Sequence, residues 1–180
     1  MKNKKTIYCL FLTKVVPSDM EHYLEKMAAE GWNLDKVGQW SSLKITFHKS
    51  EPKQYRYVYD MQIKQAKNYI QMYKDFGWEY LGQTASSHLW RKEYTGERPE
   101  AFTDAADIAS RNKRFIGAVS VSFFMFLACA LALPIVYAFT YAQLDLEQLI
   151  QFIAAFILSA SLAAYLGWVI FAMYKNRNNK

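Results

Sequence analysis

Two long segments of this chain, Phe115 to Phe139 and Ile150 to Tyr174, contain no Asp, Glu, Lys, Arg or His. That absence excludes a water-facing helix in either place, because a surface helix keeps one polar face. Each run is about 25 residues, or roughly 37 Å as a helix, enough to cross a hydrocarbon core of about 30 Å with some tilt. Between them, Thr140 to Leu149 has no basic residue and holds only Asp145 and Glu147. Arg111, Lys113 and Arg114 precede the first run, and Lys175, Arg177 and Lys180 follow or end the second. A bias of cations to the cytoplasmic side then predicts a multi-pass plasma-membrane hairpin with both termini in the cytoplasm and the loop outside.

Cysteine is nearly absent. Cys9 and Cys129 are far apart and form no Cys-x-x-Cys or Cys/His cluster. This excludes a disulfide framework and a zinc site of usual spacing, and it fits a reducing compartment. Histidine is scarce too, with His22, His48 and His88 in separate places. No His-x-x-x-His, Gly-x-Ser-x-Gly or Gly-rich phosphate loop occurs, and Asp60 and Glu79 stand alone. The expectation is a non-enzyme without metal or cofactor. Residues 1–100 carry 16 Lys/Arg against 12 Asp/Glu with no contiguous basic stripe, which argues against direct nucleic-acid binding. A signal peptide is not expected, since the apolar run Ile7 to Leu12 is short and Lys14 follows it.

The first ninety-odd residues read as an α+β domain. Thr6 to Leu12 has the composition of a buried strand. Pro17-Ser18-Asp19 opens a helix, capped by Ser18 or Asp19, with Glu21 adding acid to its first turn. Met20, Tyr23, Leu24, Met27 and Ala28 form its apolar face, and Gly31 ends it ahead of Trp32. Asn33 to Gly38 reads as a strand. Leu43, Ile45 and Phe47 alternate with Lys44, Thr46 and His48, which predicts a strand with one buried and one wet face. Tyr55, Tyr57 and Tyr59 mark another strand. A second helix is expected over Gln65 to Phe76, ending at Gly77-Trp78, then a hairpin of Glu79 to Gln83 and Ser87 to Lys92. Aligning Gly31-Trp32 with Gly77-Trp78 superposes Tyr23 on Tyr69 and Leu24 on Ile70. That implies a duplicated β-α-β-β unit, with both halves sharing one antiparallel sheet and both helices on one face of it. The Gly-Trp pairs read as cap plus core anchor, with ligand stacking as the alternative.

The organisation expected is therefore a cytoplasmic domain over 1–94, a linker and juxtamembrane helix over 95–114, the hairpin over 115–174 and a basic tail over 175–180. Thr103 or Asp104 would cap the juxtamembrane helix, and Thr95 to Pro99 is where the domain would swivel. Pro134 would loosen the first span near its outer end. Tyr137, Tyr141 and Tyr174 are placed as interfacial anchors. Ser159, Ala163 and Gly167, four residues apart, give a small-residue face suited to span packing, either against Ala128 and Ala132 of the first span or against another chain as a homo-oligomer.

The stretches Tyr23-Leu24-Glu25-Lys26-Met27-Ala28-Ala29-Glu30-Gly31-Trp32, Glu51-Pro52-Lys53-Gln54-Tyr55-Arg56-Tyr57 and Gly77-Trp78-Glu79-Tyr80-Leu81-Gly82 resemble the bacterial family catalogued as domain of unknown function 2812, DUF2812. The resemblance spans roughly residues 6–114. It implies a bacterial membrane protein in a regulatory or stress-linked setting, often encoded beside a winged-helix repressor of the phenolic-acid-responsive type. It implies no catalytic residue.

The leading expectation is a membrane-tethered cytoplasmic interaction or sensor module, bound to the lipid bilayer and to a protein such as that repressor or a membrane complex. One alternative is an accessory subunit of a transporter or envelope-stress system, acting through the spans. Another is a small-ligand domain with Tyr57, Trp40 and Trp90 lining its pocket. If strand faces align, Lys44, His48, Arg56, His88 and Arg91 would share an anion-attracting binding surface; the alternative for them is a solvated face.

Overall fold

The computed structural model describes residues 3–62, 68–84, 87–100, 105–140 and 145–175. The expected cap at Thr103 or Asp104, the helix start at Gln65, Tyr141, and the tail cations Arg177 and Lys180 lie outside those residues. The described residues divide into two compact units, one up to Arg111 and one from Asn112 onward. The boundary falls after Arg111, within the stretch 95–114 read as linker and juxtamembrane helix.

The N-terminal unit is α+β. Its elements are β1 (Lys4–Tyr8), α1 (Leu10–Thr13), α2 (Pro17–Ala29), β2 (Trp32–Leu34), a 3-10 turn (Gln39–Ser42), β3 (Lys44–Lys49), β4 (Tyr55–Met61), α3 (Tyr69–Asp75), β5 (Glu79–Thr84) and β6 (Ser87–Glu93). Helix α2 starts with Pro17 at its first position, where the missing N–H costs nothing, and no side chain caps it. Both helix-ending glycines are left-handed as expected, Gly31 at φ 80° and Gly77 at φ 79°. Strand β1 is shorter than expected. The chain turns at Cys9, itself left-handed at φ 52°, whose N–H donates to Leu43 O at 2.7 Å. The apolar run after it coils into α1, because an apolar stretch of that length fits strand and helix alike.

The strands form two three-stranded antiparallel sheets, β1-β3-β2 and β4-β6-β5, in place of the single shared sheet expected. In each, the last strand of a β-α-β-β stretch lies between the other two. One parallel bridge, Val37 to Gly82, touches the outer edge of the second sheet. A ladder at its other edge is blocked by side chains. The β4 N–H groups of Tyr57 and Tyr59 donate to Glu25 Oε1 and Glu21 Oε1 of α2, at 3.2 and 2.9 Å. Carboxylates thus occupy the donors that a further strand would need.

The two helices also lie on opposite faces of the second sheet. Met20, Leu24, Met27 and Ala28 of α2 cluster with Tyr55, Tyr57 and Leu89. Tyr69 and Tyr73 of α3 cluster with Val58 and Trp90. Neighbouring strand residues point to opposite faces, so Tyr57 with Val58, and Leu89 with Trp90, separate the two layers. The ring stack of Tyr73 on Trp90, 4.6 Å between centroids at 18°, anchors the α3 layer.

Burial pushes the Tyr57 phenol up from 10.0 to about 12, with the nearby Arg91 charge opposing the rise. Between those values the unfolded chain gives up a proton that the folded chain keeps. Stability is therefore expected to fall as pH rises from 10 towards 12, by about 2–3 kcal/mol from this group. Denaturant titrations across that window check it. Tyr57→Phe should remove part of the alkaline slope while leaving the neutral-pH midpoint nearly unchanged.

Two helices are long and apolar enough to cross a membrane: α4 (Ala105–Thr140), over Ala109–Thr140, and α5 (Leu146–Lys175) over its full length. Both enclose the uncharged runs read from the sequence. Within the C-terminal unit, Ser159 and Ala163 of α5 are buried, and the Cα of Gly167 faces the Phe123 ring. The matching positions on α4 are Phe123 and Ala130, seven residues apart on one face, whereas Ala128 and Ala132 are exposed. The Tyr137 and Phe152 rings meet 6.3 Å apart further along the same pair. A Cβ added at Gly167 would sit 3.3 Å from Phe123 Cε2. Gly167→Leu is expected to loosen the hairpin by about 1–3 kcal/mol. A lower thermal midpoint of the detergent-solubilised chain, partly restored by Phe123→Ala, checks it.

Candidate functional site

The most heavily connected polar group of the N-terminal unit is a set of five charges around α2. Glu21 and Glu25 are four residues apart, so they share one helix face and repel unless cations lie between them. Arg56 of β4 supplies the first, with Nη1 donating to Glu21 Oε2 at 3.1 Å and to Glu25 Oε1 at 2.9 Å. The same nitrogen donates to Tyr57 O. Arg98 grips Glu25 with two bonds, Nη2 to Oε1 at 3.0 Å and Nε to Oε2 at 3.2 Å. Arg111, in the early turns of α4, donates through Nη1 to Glu21 Oε1 at 2.7 Å. Glu21, Arg56 and Arg111 are almost fully buried. Each carboxylate thus accepts from guanidinium groups and from a strand N–H at once, which is what a buried charge requires.

The residues from Thr95 to Pro99 were expected to act as a swivel. Arg98 instead ties that stretch to α2.

A second polar group lies under α3. Asp60, on β4, is buried and accepts from Tyr69 Oη at 3.0 Å and Gln62 Nε2 at 2.8 Å. Trp90 Nε1 donates to Tyr69 Oη at 3.1 Å. His88 is buried beside them, its Nδ1 2.9 Å from Tyr80 Oη. Burial raises the Tyr69 and Tyr73 phenols, with the Asp60 charge adding to the effect. Burial lowers the His88 pKa below 6.5, with Asp60 opposing. The folded chain then resists protonation that the unfolded chain accepts. Stability is expected to drop as pH falls below 6.5 towards His88's lower folded value. Urea midpoints measured from about pH 7.5 to about pH 5 check this, and His88→Gln should flatten the acid limb.

The five residues of the expected anion-attracting surface are not assembled. Lys44 is exposed on β3, and His48 of the same strand has Nδ1 2.7 Å from Asp35 Oδ2. Arg56 and His88 are buried in the second sheet. Arg91 of β6 is bound to Glu79 through Nε at 2.6 Å and Nη2 at 3.0 Å, and donates through Nη1 to Leu34 O at 2.6 Å. The aromatic pocket does not form either. Tyr57 and Trp90 belong to different core layers, and Trp40 is exposed. Among the described residues no three His, Cys, Asp or Glu side chains are grouped to hold a metal ion.

Sequence reasoning missed Glu21. It was read as a first-turn acid, yet it stands three residues before Leu24 and seven before Ala28, inside the apolar stripe. A carboxylate at that spacing was the signal for a buried ion pair.

No curated protein and no solved structure matches the chain. A family model matches residues 17–127, a range that opens at α2, contains all five members of the charge cluster and ends inside the first apolar run. The match starts later and ends further into α4 than the resemblance over 6–114. With well over half its length matched, the chain belongs to the family described as "Protein of unknown function (DUF2812)".

Proposed function

We propose that this chain is a membrane-tethered interaction or sensor module, regulatory and non-enzymatic, whose N-terminal unit works at the cytoplasmic face. One observation carries the reading: a single buried charge cluster holds α2, the β4 edge, the Arg98 segment and the first turns of α4. A binding event that draws off Glu25 or Arg98 changes the charge balance around Glu21, and so around Arg111. That gives a physical route by which occupancy of the domain is felt at the base of the helix bearing the first apolar run. The flanking cations support the cytoplasmic assignment. The shared strand order of the two sheets supports reading the unit as a doubled β-α-β-β element.

The partner is a protein: the resemblance points to a winged-helix repressor, and a membrane complex is the other candidate. Affinity capture of the intact chain from mild detergent tests the reading. A partner should be recovered whose yield changes with Glu25→Ala or Arg98→Ala, and which is lost when residues 6–94 are removed. Capture indifferent to all three changes would overturn it.

A further inference from the structure

We propose that the corner of the first sheet displaying Trp40 docks on the surface of an anionic lipid bilayer. Three large apolar side chains stand out there: Trp40 is 79% exposed, Tyr8 68% and Leu43 49%. The backbone brings them together. Cys9 N–H donates to Leu43 O, Leu43 N–H donates to Trp40 O at 3.1 Å, and Tyr8 lies opposite Lys44 in the β1–β3 ladder. Directly opposed residues share a face, so Tyr8 and Lys44 both stand away from the Ile7–Ile45 side that packs on the core.

The display is built into the turn. Gly38 N–H donates to Ser41 Oγ at 2.9 Å, and Ser42 Oγ donates to Gln39 O at 3.1 Å. These bonds close a 3-10 turn with Trp40 at its tip, and the core has no use for that ring. A tryptophan so exposed is uncommon, and Tyr8 and Leu43 are exposed on the segments bonded to its turn.

Charge decides between occupants. Residues 1–18 and 36–50, which supply β1, the turn and β3, contain no Asp or Glu. Lys4, Lys36 and Lys44 are exposed in those stretches. A protein interface uses Trp and Tyr as anchors but is depleted of lysine. A bilayer surface takes both, with amphipathic rings at the headgroup level and lysines attracted to acidic lipid. The inference rests on reading α4 and α5 as spans, which would keep the patch at high effective concentration beside a membrane.

The full chain reconstituted in nanodiscs tests it, with discs of phosphatidylcholine alone and of phosphatidylcholine mixed with phosphatidylglycerol. Subtracting the emission of Trp40→Phe isolates Trp40 from the other four tryptophans. In anionic discs the Trp40 signal should be blue-shifted and quenched by brominated lipid. That quenching should fall about twofold or more in high salt, where charge attraction is screened, and likewise in Lys36→Glu/Lys44→Glu. Incorporation with Trp40 emitting as in water in both discs would overturn the docking alone. A signal that follows the number of chains per disc and ignores lipid charge would also overturn it and assign the patch to a second copy. Failure of the chain to enter discs would remove the span reading and the docking together.

Discussion

Glu21→Ala is expected to destabilise the N-terminal unit by about 3–5 kcal/mol, the range for removing one partner of a buried ion pair. The carboxylate is 2% exposed and serves three donors: Arg56, Arg111 and the Tyr59 N–H. Its loss strips Arg111 of a 2.7 Å carboxylate partner in a place water hardly reaches. It also leaves the β4 edge short of an acceptor, and an unmet buried N–H costs roughly another 1–3 kcal/mol if the strand does not shift. Glu21→Gln keeps an acceptor for Tyr59 but removes the charge, so it should fall between wild type and Ala. Arg111→Met should cost less than Glu21→Ala, because Glu21 keeps Arg56 and the Tyr59 N–H. Urea unfolding of the full chain in detergent, followed by the buried tryptophans, gives all three numbers. A Glu21→Ala loss under about 1 kcal/mol, the worth of an exposed pair, would show that the cluster is dispensable.

Local chemistry made much of this fold readable. Gly31 and Gly77 end their helices because only glycine takes a positive φ at little steric cost, and that shows in any sequence. The uncharged runs announced the two long helices, because a run of that length without a charge is long and apolar enough to cross a hydrocarbon core. The β3 alternation was read correctly from Lys44 to His48, where Ile45 and Phe47 are buried, but Leu43, read with them, ends the preceding turn and is exposed. Pairing partners were another matter. Alternation says which residues share a face; it does not say which strand lies alongside. The second sheet ends at β4 because carboxylates from α2, over thirty residues earlier, reach its N–H groups. Nothing within the β4 segment records that. The charge cluster was hidden for the same reason, as its arginines come from positions 56, 98 and 111. Trp40 was noticed as an aromatic and, in one alternative, placed in a pocket, because composition does not tell an outward ring from an inward one.

The Val37–Gly82 bridge, which with the Arg91–Leu34 bond links the two sheets, makes Gly82 a sensitive small residue in the N-terminal unit. Its φ is 132°, a conformation that L side chains rarely adopt, and a register shift in the β5–β6 ladder falls between it and Tyr80. The Val37 backbone crosses directly over its Cα, and Val37 N–H donates to Leu81 O at 2.8 Å. A Cβ on Gly82 would be driven into the Val37 carbonyl oxygen, with the carbonyl carbon only 3.1 Å away. Backbone cannot swing aside as a side chain can. Gly82→Ala therefore combines strain of about 1–2 kcal/mol with overpacking of about 1–3 kcal/mol, for an expected loss of about 2–5 kcal/mol. Two other glycines separate the terms. Gly96 has φ 92° and nothing within 4 Å, so Gly96→Ala should show the strain alone. Gly38 has open space and ordinary extended backbone at φ −136°, so Gly38→Ala should be close to neutral. If unfolding midpoints rank Gly38, Gly96 and Gly82 in rising cost, the contact with Val37 is what holds the β5 edge to the segment after β2. If Gly82→Ala costs no more than Gly96→Ala, Val37 yields without penalty, and the two sheets are held together by the shared core around α2 and not by that crossing.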